Sequence, residues 1–275
     1  MHTEPLTEEL GSVLPGLRNE ALDSLNPRAV LELLGRQGVV LFRGYEASLE
    51  EFADFARQFG PVTWDVHDVS TTGRPMGFHS EATYTPNPPD LVWFYCLTPA
   101  AEGGQTTLCD GVGMLSGMDA ALRDLFYEKR IFYRKTFTKQ RWLSAAHTSD
   151  LEEATAPLNS MPGVRHYMTE DEKLCIEYVA PAIRRTRFTG EDAFSNTMLI
   201  AIDDPDSYSM KFEDGSEIPR EVLDSVKRLS EELTVPIEWR PRDFLLIDNS
   251  RVMHGRRAYS DTRRDIKSIY SRLPD

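Results

Sequence analysis

His79 and Glu81, separated by Ser80, are residues whose types and spacing could do chemistry together. In an extended segment, side chains two apart point to one face, so an imidazole and a carboxylate could reach the same metal ion. A second imidazole comes much later, at His254 in the run Val252-Met253-His254-Gly255-Arg256. Two histidines and one carboxylate on one face of an octahedron form the ligand set of non-haem Fe(II) oxygenases, with three positions left open. The stretch from Tyr259 to Arg272 is basic, carrying Arg263, Arg264, Lys267 and Arg272. A dicarboxylate that chelates iron through its 2-oxo acid end needs a cation for its far carboxylate, and a guanidinium offers a two-pronged donor. The turn after His254 is expected to bring Arg263 within reach of such a ligand.

Two rival readings share some of these residues. Catalytic zinc also takes two histidines and a glutamate, but zinc hydrolases with that set carry His-Glu-x-x-His on a helix, and that motif is absent. A non-catalytic binding module would tend to lose a ligand or the arginine, and all three ligands are present. Of the other histidines, His2, His147 and His166 have no carboxylate at ligand spacing in a strand pattern, and His67-Asp68 reads as a polar loop.

The remaining chain has to position these groups. Asn26-Pro27 reads as a helix start, and Gly35 or Gly38 as its stop. Residues 39–42 form a short buried strand. Ser48 and Glu51 have capping-box spacing before Phe52, Phe55 and Phe59, which recur at helical period and read as core. Segments 91–97, 106–109, 131–137, 244–247 and 266–270 read as strands; 115–129 and 218–233 read as helices. Residues 138–190 show weak periodicity and read as an excursion of loops and short elements that covers a site. The sum is a β-rich core with flanking helices, in a single domain spanning 1–275.

Composition narrows the partners. Forty-four acidic against 31 basic side chains give a net charge of −13, which disfavours nucleic acid and anionic membrane surfaces. The longest apolar runs are too short to cross a bilayer, and the first residues lack a secretory pattern. Three widely spaced cysteines, Cys96, Cys109 and Cys175, fit a reducing compartment, so a cytoplasmic location is expected.

From about Val39 to the C-terminus, and most strongly over 78–110 and 244–264, the chain resembles the taurine/2,4-D dioxygenase family of Fe(II)- and 2-oxoglutarate-dependent oxygenases, which includes clavaminate synthase-like enzymes. The family's His-x-(Asp/Glu) falls on His79 and Glu81, its distal histidine on His254, and its Gly-Gly-x-Thr element on Gly103-Gly104-Gln105-Thr106. The resemblance implies a double-stranded β-helix, a jelly-roll (cupin-like) fold with iron at its open end. It implies Fe(II), 2-oxoglutarate and O2 as cofactor and co-substrates, with Thr106 helping to hold the 2-oxoglutarate carboxylate. Many members carry Asp where this chain has Glu81; the longer arm resembles the branch acting on amino acids or related biosynthetic intermediates. In taurine dioxygenase-like members the co-substrate arginine lies about fourteen residues after the distal histidine, where this chain has Ser268; Arg263 matches relatives that place it nearer, with Arg264 and Arg272 as alternatives. Hydroxylation is the implied outcome, with desaturation, epoxidation or ring closure from the same chemistry, on an amino-acid-like molecule either free or tethered to a carrier protein. Ala82–Thr85, Arg141, Trp142 and Arg184–Arg187 are expected as substrate walls, although any single arginine there is better explained as part of a solvated loop.

Overall fold

The computed structural model describes residues 2–16, 21–69, 72–146 and 150–274. Two sheets face one another. The larger has seven strands in the order Glu4–Pro5, Ser12–Pro15, Val39–Arg43, Phe244–Asp248, Leu91–Thr98, Asp265–Ser271, Val62–Asp68. The smaller has four, in the order Val235–Ile237, Thr106–Asp110, Val252–Arg256, Met76–His79. This is the double-stranded β-helix.

Side-chain alternation along the large sheet divides its apolar residues between two layers. Val39, Leu41, Val92, Phe94, Leu245 and Ile247 point inward and pack with Leu108, Ile237 and Val252 of the small sheet. The alternate residues Val40, Phe42, Trp93, Tyr95, Phe244 and Leu246 point outward, under the helices Pro27–Gln37 and Leu49–Arg57. Because both faces are covered, these strands read as continuous apolar runs. Asn26 caps the first helix by accepting from Arg28 N and Ala29 N, and Gly38 ends it at φ 72°. Ser48 and Glu51 form the capping box of the second. Phe42 and Phe244 stack at 4.4 Å between centroids, next to Phe52, Phe55 and Trp93.

A further sheet, ordered Tyr208–Phe212, Ile131–Phe137, Leu174–Ala180, Arg165–Met168, carries one wall of the site. Leu174–Ala180 pairs with Ile131–Phe137 along its whole length, from Leu174 opposite Phe137 to Ala180 opposite Ile131. The stretch 138–190 is therefore more ordered than its weak periodicity suggests. It holds the helices Lys139–Ala146 and Leu151–Asn159 and an interior strand whose near-continuous burial hides any alternation. The single helix expected over 115–129 is two, Gly111–Gly117 and Ala120–Glu128; Asp119 interrupts it by accepting from Leu122 N at 2.8 Å and starting the second. Cys96, Cys109 and Cys175 are free and buried. No helix among the described residues is long and apolar enough to cross a membrane.

Phe244 touches the helix Leu49–Arg57 through ring contacts with Phe52 and Phe55 and has no exposed surface. Phe244→Ala should lower unfolding stability by roughly 3–5 kcal/mol, read from the denaturant midpoint at unchanged slope. A loss below about 1 kcal/mol would mean that this layer does not hold that helix to the sheet.

Candidate active site

His79 ends the strand Met76–His79, and His254 sits in the middle of Val252–Arg256. The strands are antiparallel, with His254 directly opposite His79. Their rings lie 4.4 Å apart, and Phe94 of the large sheet meets His254 edge-on at 5.2 Å. His79 Nδ1 donates to Gly77 O at 3.1 Å, which fixes the tautomer and leaves the Nε2 lone pair for another partner.

Glu81 does not share a strand with His79. It opens the turn that follows, where Ala82 adopts φ 56°. What holds this turn is Asn249. Its Oδ1 accepts from Glu81 N at 2.7 Å, and its Nδ2 donates to Glu81 O at 3.1 Å and to Pro89 O at 2.8 Å. Hydroxyl pairs tie the same turn to residues 195–197: Ser80 with Ser195 and Thr83 with Thr197, both at 2.6 Å. Ligand atoms of His79, Glu81 and His254 then all lie within 4.8 Å of one another.

Burial by itself would raise the Glu81 carboxyl, but the adjacent His79 ring, then His254 and last the Tyr270 phenol, outweigh it and bring the pKa down to about 2. Burial, assisted by His79, pushes His254 down to about 3, so that ring is a neutral donor at pH 7. His254 Nδ1 is buried and has no hydrogen-bond partner among the described residues. Two close imidazoles and an ionised carboxylate, not satisfied by protein hydrogen bonds alone, fit a divalent cation of the Fe(II) type. The donor set matches that ion; a purely polar cluster would be left with an orphaned nitrogen.

These groups open into a cavity of about 410 Å³, within the range of small-ligand sites. Thr106 and Arg264 line it and are almost fully buried. Trp239 Nε1 donates to Thr106 Oγ1 at 3.0 Å, which leaves the threonine proton free to donate to another acceptor. Arg264 Nε donates to Gly104 O at 2.9 Å, and its guanidinium lies 5.1 Å from the Tyr259 ring centre. Gly103 and Gly104 both have positive φ, and a Cβ on Gly103 would come within 2.2 Å of Ala258 O. A Cβ on Gly104 would come within 3.0 Å of the Arg264 side chain, so the second glycine leaves that arginine its room.

Arg263 is elsewhere. Its side chain is 76% exposed and grips Asp261 through Nε and Nη2 at 2.9 and 3.0 Å. Adjacent residues leaving a turn diverge, and the inward position belongs to Arg264. Arg272 donates to Asn87 O, outside the cavity. Tyr84 and Arg141 line the cavity as expected, but Trp142 packs with Leu174 and Ile176. Arg184 is buried away from the cavity, while Arg185 and Arg187 pair with Asp192 and Asp90. Asn196 donates to Ala182 O and accepts from Met198 N, so its amide is used within the fold. His67 lies in the strand Val62–Asp68, not in a loop, and borders the cavity next to Tyr270; His166 bonds Asn159, and His147 lies outside the described residues. Sequence reasoning missed Asn249, Tyr270, Lys135 and Asp204. Lys135 carried one usable signal: a charged residue in phase with the buried Ile131 and Tyr133.

The chain matches the model of the family described as "Taurine catabolism dioxygenase TauD, TfdA family" over residues 2–270. It is 26% identical to a clavaminate synthase-like protein of Arabidopsis thaliana, covering 86% of this chain and 82% of that one. It is 23% identical to the dapdiamide synthesis protein DdaC of Enterobacter agglomerans, covering 84% and 82%. Among solved structures, AAD-2 in complex with Mn(II) and N-oxalylglycine superposes with a TM-score of 0.71 at 17% identity, covering 100% of this chain and 98% of that one, a likeness of fold. With this match across nearly its whole length, the chain belongs to the TauD/TfdA family and is an Fe(II)- and 2-oxoglutarate-dependent dioxygenase.

Proposed function

We propose that His79, Glu81 and His254 hold Fe(II), that Arg264 and Thr106 hold 2-oxoglutarate, and that the substrate is an amino acid or an amino-acid-derived intermediate. The observation that carries this reading is the gathering of three ligand atoms within 4.8 Å, in a cavity that also contains a buried guanidinium and a hydroxyl free to donate. When bound, the iron supplies oxidative decarboxylation of 2-oxoglutarate with O2 and hydroxylation of an unactivated C–H bond.

The protein's share is positioning. The Gly77 carbonyl orients the His79 ring, and Asn249 sets the reach of Glu81. The His79 and His254 rings, with the Tyr270 phenol as the smallest influence, keep the Glu81 carboxylate ionised. No described carboxylate forms an ion pair with Arg264, so a co-substrate carboxylate is the anion it is placed to meet, with the Thr106 hydroxyl as second donor. Neighbouring AAD-2 was solved with a divalent metal and N-oxalylglycine, whose oxalyl end has the 2-oxo acid pattern, and that supports the same arrangement here. Residues 138–190 cover the cavity through Arg141, within a single domain. Buried free thiols support a cytoplasmic location.

Anaerobic addition of Fe(II) and 2-oxoglutarate should give a weak visible charge-transfer band that is lost in His79→Ala; a wild-type protein without the band would defeat the assignment. Arg264→Ala should raise KM for 2-oxoglutarate roughly 10- to 100-fold, while Arg263→Ala should change it less than about threefold. The reverse pattern in succinate-release assays would restore Arg263. Asn249→Ala should weaken Mn(II) binding roughly 10- to 100-fold, measured by titration at a temperature where the variant is folded; unchanged affinity would remove Asn249 from the ligand support.

A further inference from the structure

Besides Arg264, one more buried charge in the cavity has no ion-pair partner among the described residues. Lys135 stands on the interior strand Ile131–Phe137, in phase with Ile131 and Tyr133, and is 5% exposed. Its ammonium rests 3.5 Å from the centre of the Tyr208 ring, and it forms no ion pair or side-chain hydrogen bond among the described residues. A ring face offers attraction but replaces neither a hydration shell nor a carboxylate. Asp204, Arg141 and Glu81 are the charged groups whose fields reach it, and burial drags its pKa down to about 7 despite the two acids. Tyr84, Tyr208 and Phe137 complete this wall.

Arg141, an exposed residue of the helix Lys139–Ala146, and the half-buried Asp204 line the same cavity from its solvent side, and neither has an ion pair among the described residues. Two cations and one acid thus face one space without pairing. The iron ligands do not use them, and Arg264, carried by the turn before Asp265–Ser271, is a separate cation. A ligand with an acid group and an ammonium would meet all three, and a buried ammonium gains most from an anion in a dry site.

We propose that Lys135 and Arg141 seat the acid group of the substrate and Asp204 its ammonium, so that the substrate is a free zwitterion and not an amino acid tethered through its carboxyl. This rests on the oxygenase reading and selects within it. A carrier thioester has no charge at the carboxyl and would leave Lys135 buried and unpaired. A carboxylate and a sulfonate share the chemistry, so both belong in the test.

The experiment uses protein loaded with Mn(II) and 2-oxoglutarate and follows its melting midpoint with each proteinogenic L-amino acid, each corresponding carboxamide, and taurine. At least one free acid should raise the midpoint, its carboxamide should not, and Lys135→Met should need roughly 10- to 100-fold more of it. Lys135→Arg should retain the response. Without ligands Lys135→Met should melt no lower than wild type, since it removes a buried charge; should it melt lower, the comparison of acid with carboxamide in wild type and Lys135→Arg still decides. A response to taurine alone keeps the seat and assigns it to sulfonates. Equal responses to acid and carboxamide, an unaltered Lys135→Met response, or no response to any free acid would overturn the proposal. Failure of the oxygenase reading looks different: Mn(II) and 2-oxoglutarate would not raise the midpoint at all.

Discussion

The antiparallel pairing of Val252–Arg256 with Met76–His79 puts His254 opposite His79, and the site depends on that register. Side chains alternate along a strand, so a slip of one residue would turn one imidazole to the other face of the sheet. The register is held from both sides. On the far side, Val252–Arg256 pairs with Thr106–Asp110, where His254 faces Leu108 and Arg256 faces Thr106. The same ladder that brings the imidazoles together therefore places Thr106 in the cavity wall. Phe94, reaching across from the large sheet, limits how far the His254 ring can tilt.

The carboxylate is positioned by other means. A glutamate on a turn has more freedom than one on a ladder, and burial disfavours its charge. The chain restrains it with a buried asparagine that uses both ends of its amide, and with hydroxyl pairs that anchor the neighbouring backbone. The left-handed Ala82 belongs to this arrangement: an unfavourable backbone state persists only where surrounding bonds over-determine it. The longer arm of glutamate spans from the turn to a point that aspartate would reach only with a shift of the backbone.

Charge is distributed very differently in the cavity than over the molecule. A chain with net charge −13 gathers Arg256, Arg264, Lys135 and Arg141 around one small space. These cations come from different sheets, Arg256 and Arg264 from the small sheet and the turn beyond it, Lys135 and Arg141 from the sheet and helix of the further wall. Such a separation suits two small acids held side by side over one metal, each with its own counter-ion. The acidic exterior disfavours polyanions while leaving the interior selective for small ones.

Much of the architecture was legible in residue order. Asn26 and Gly38 bounded a helix, Ser48 and Glu51 capped another, and apolar runs marked the strands of the large sheet, because caps and alternation are local effects of a few side chains on their own backbone. The types His79, Glu81 and His254 announced metal chemistry by the same token. What local reading could not reach was direction and partnership. Arg263 and Arg264 are neighbours of identical type, and only their tertiary partners tell them apart: Asp261 holds Arg263 in solvent, while the Gly104 carbonyl receives Arg264 inside. Asn249 carries no motif, yet it holds Glu81 because two distant turns meet. Lys135 looked like one charge in an alternating strand until a second sheet closed over it. Residue types and spacing pointed to a metal site in a β-rich domain, and the motifs shared with the family implied the jelly-roll and its iron; packing between remote segments decided the reach of each ligand, the choice of arginine and the charges left for a substrate, since these depend on distances that no stretch of sequence contains.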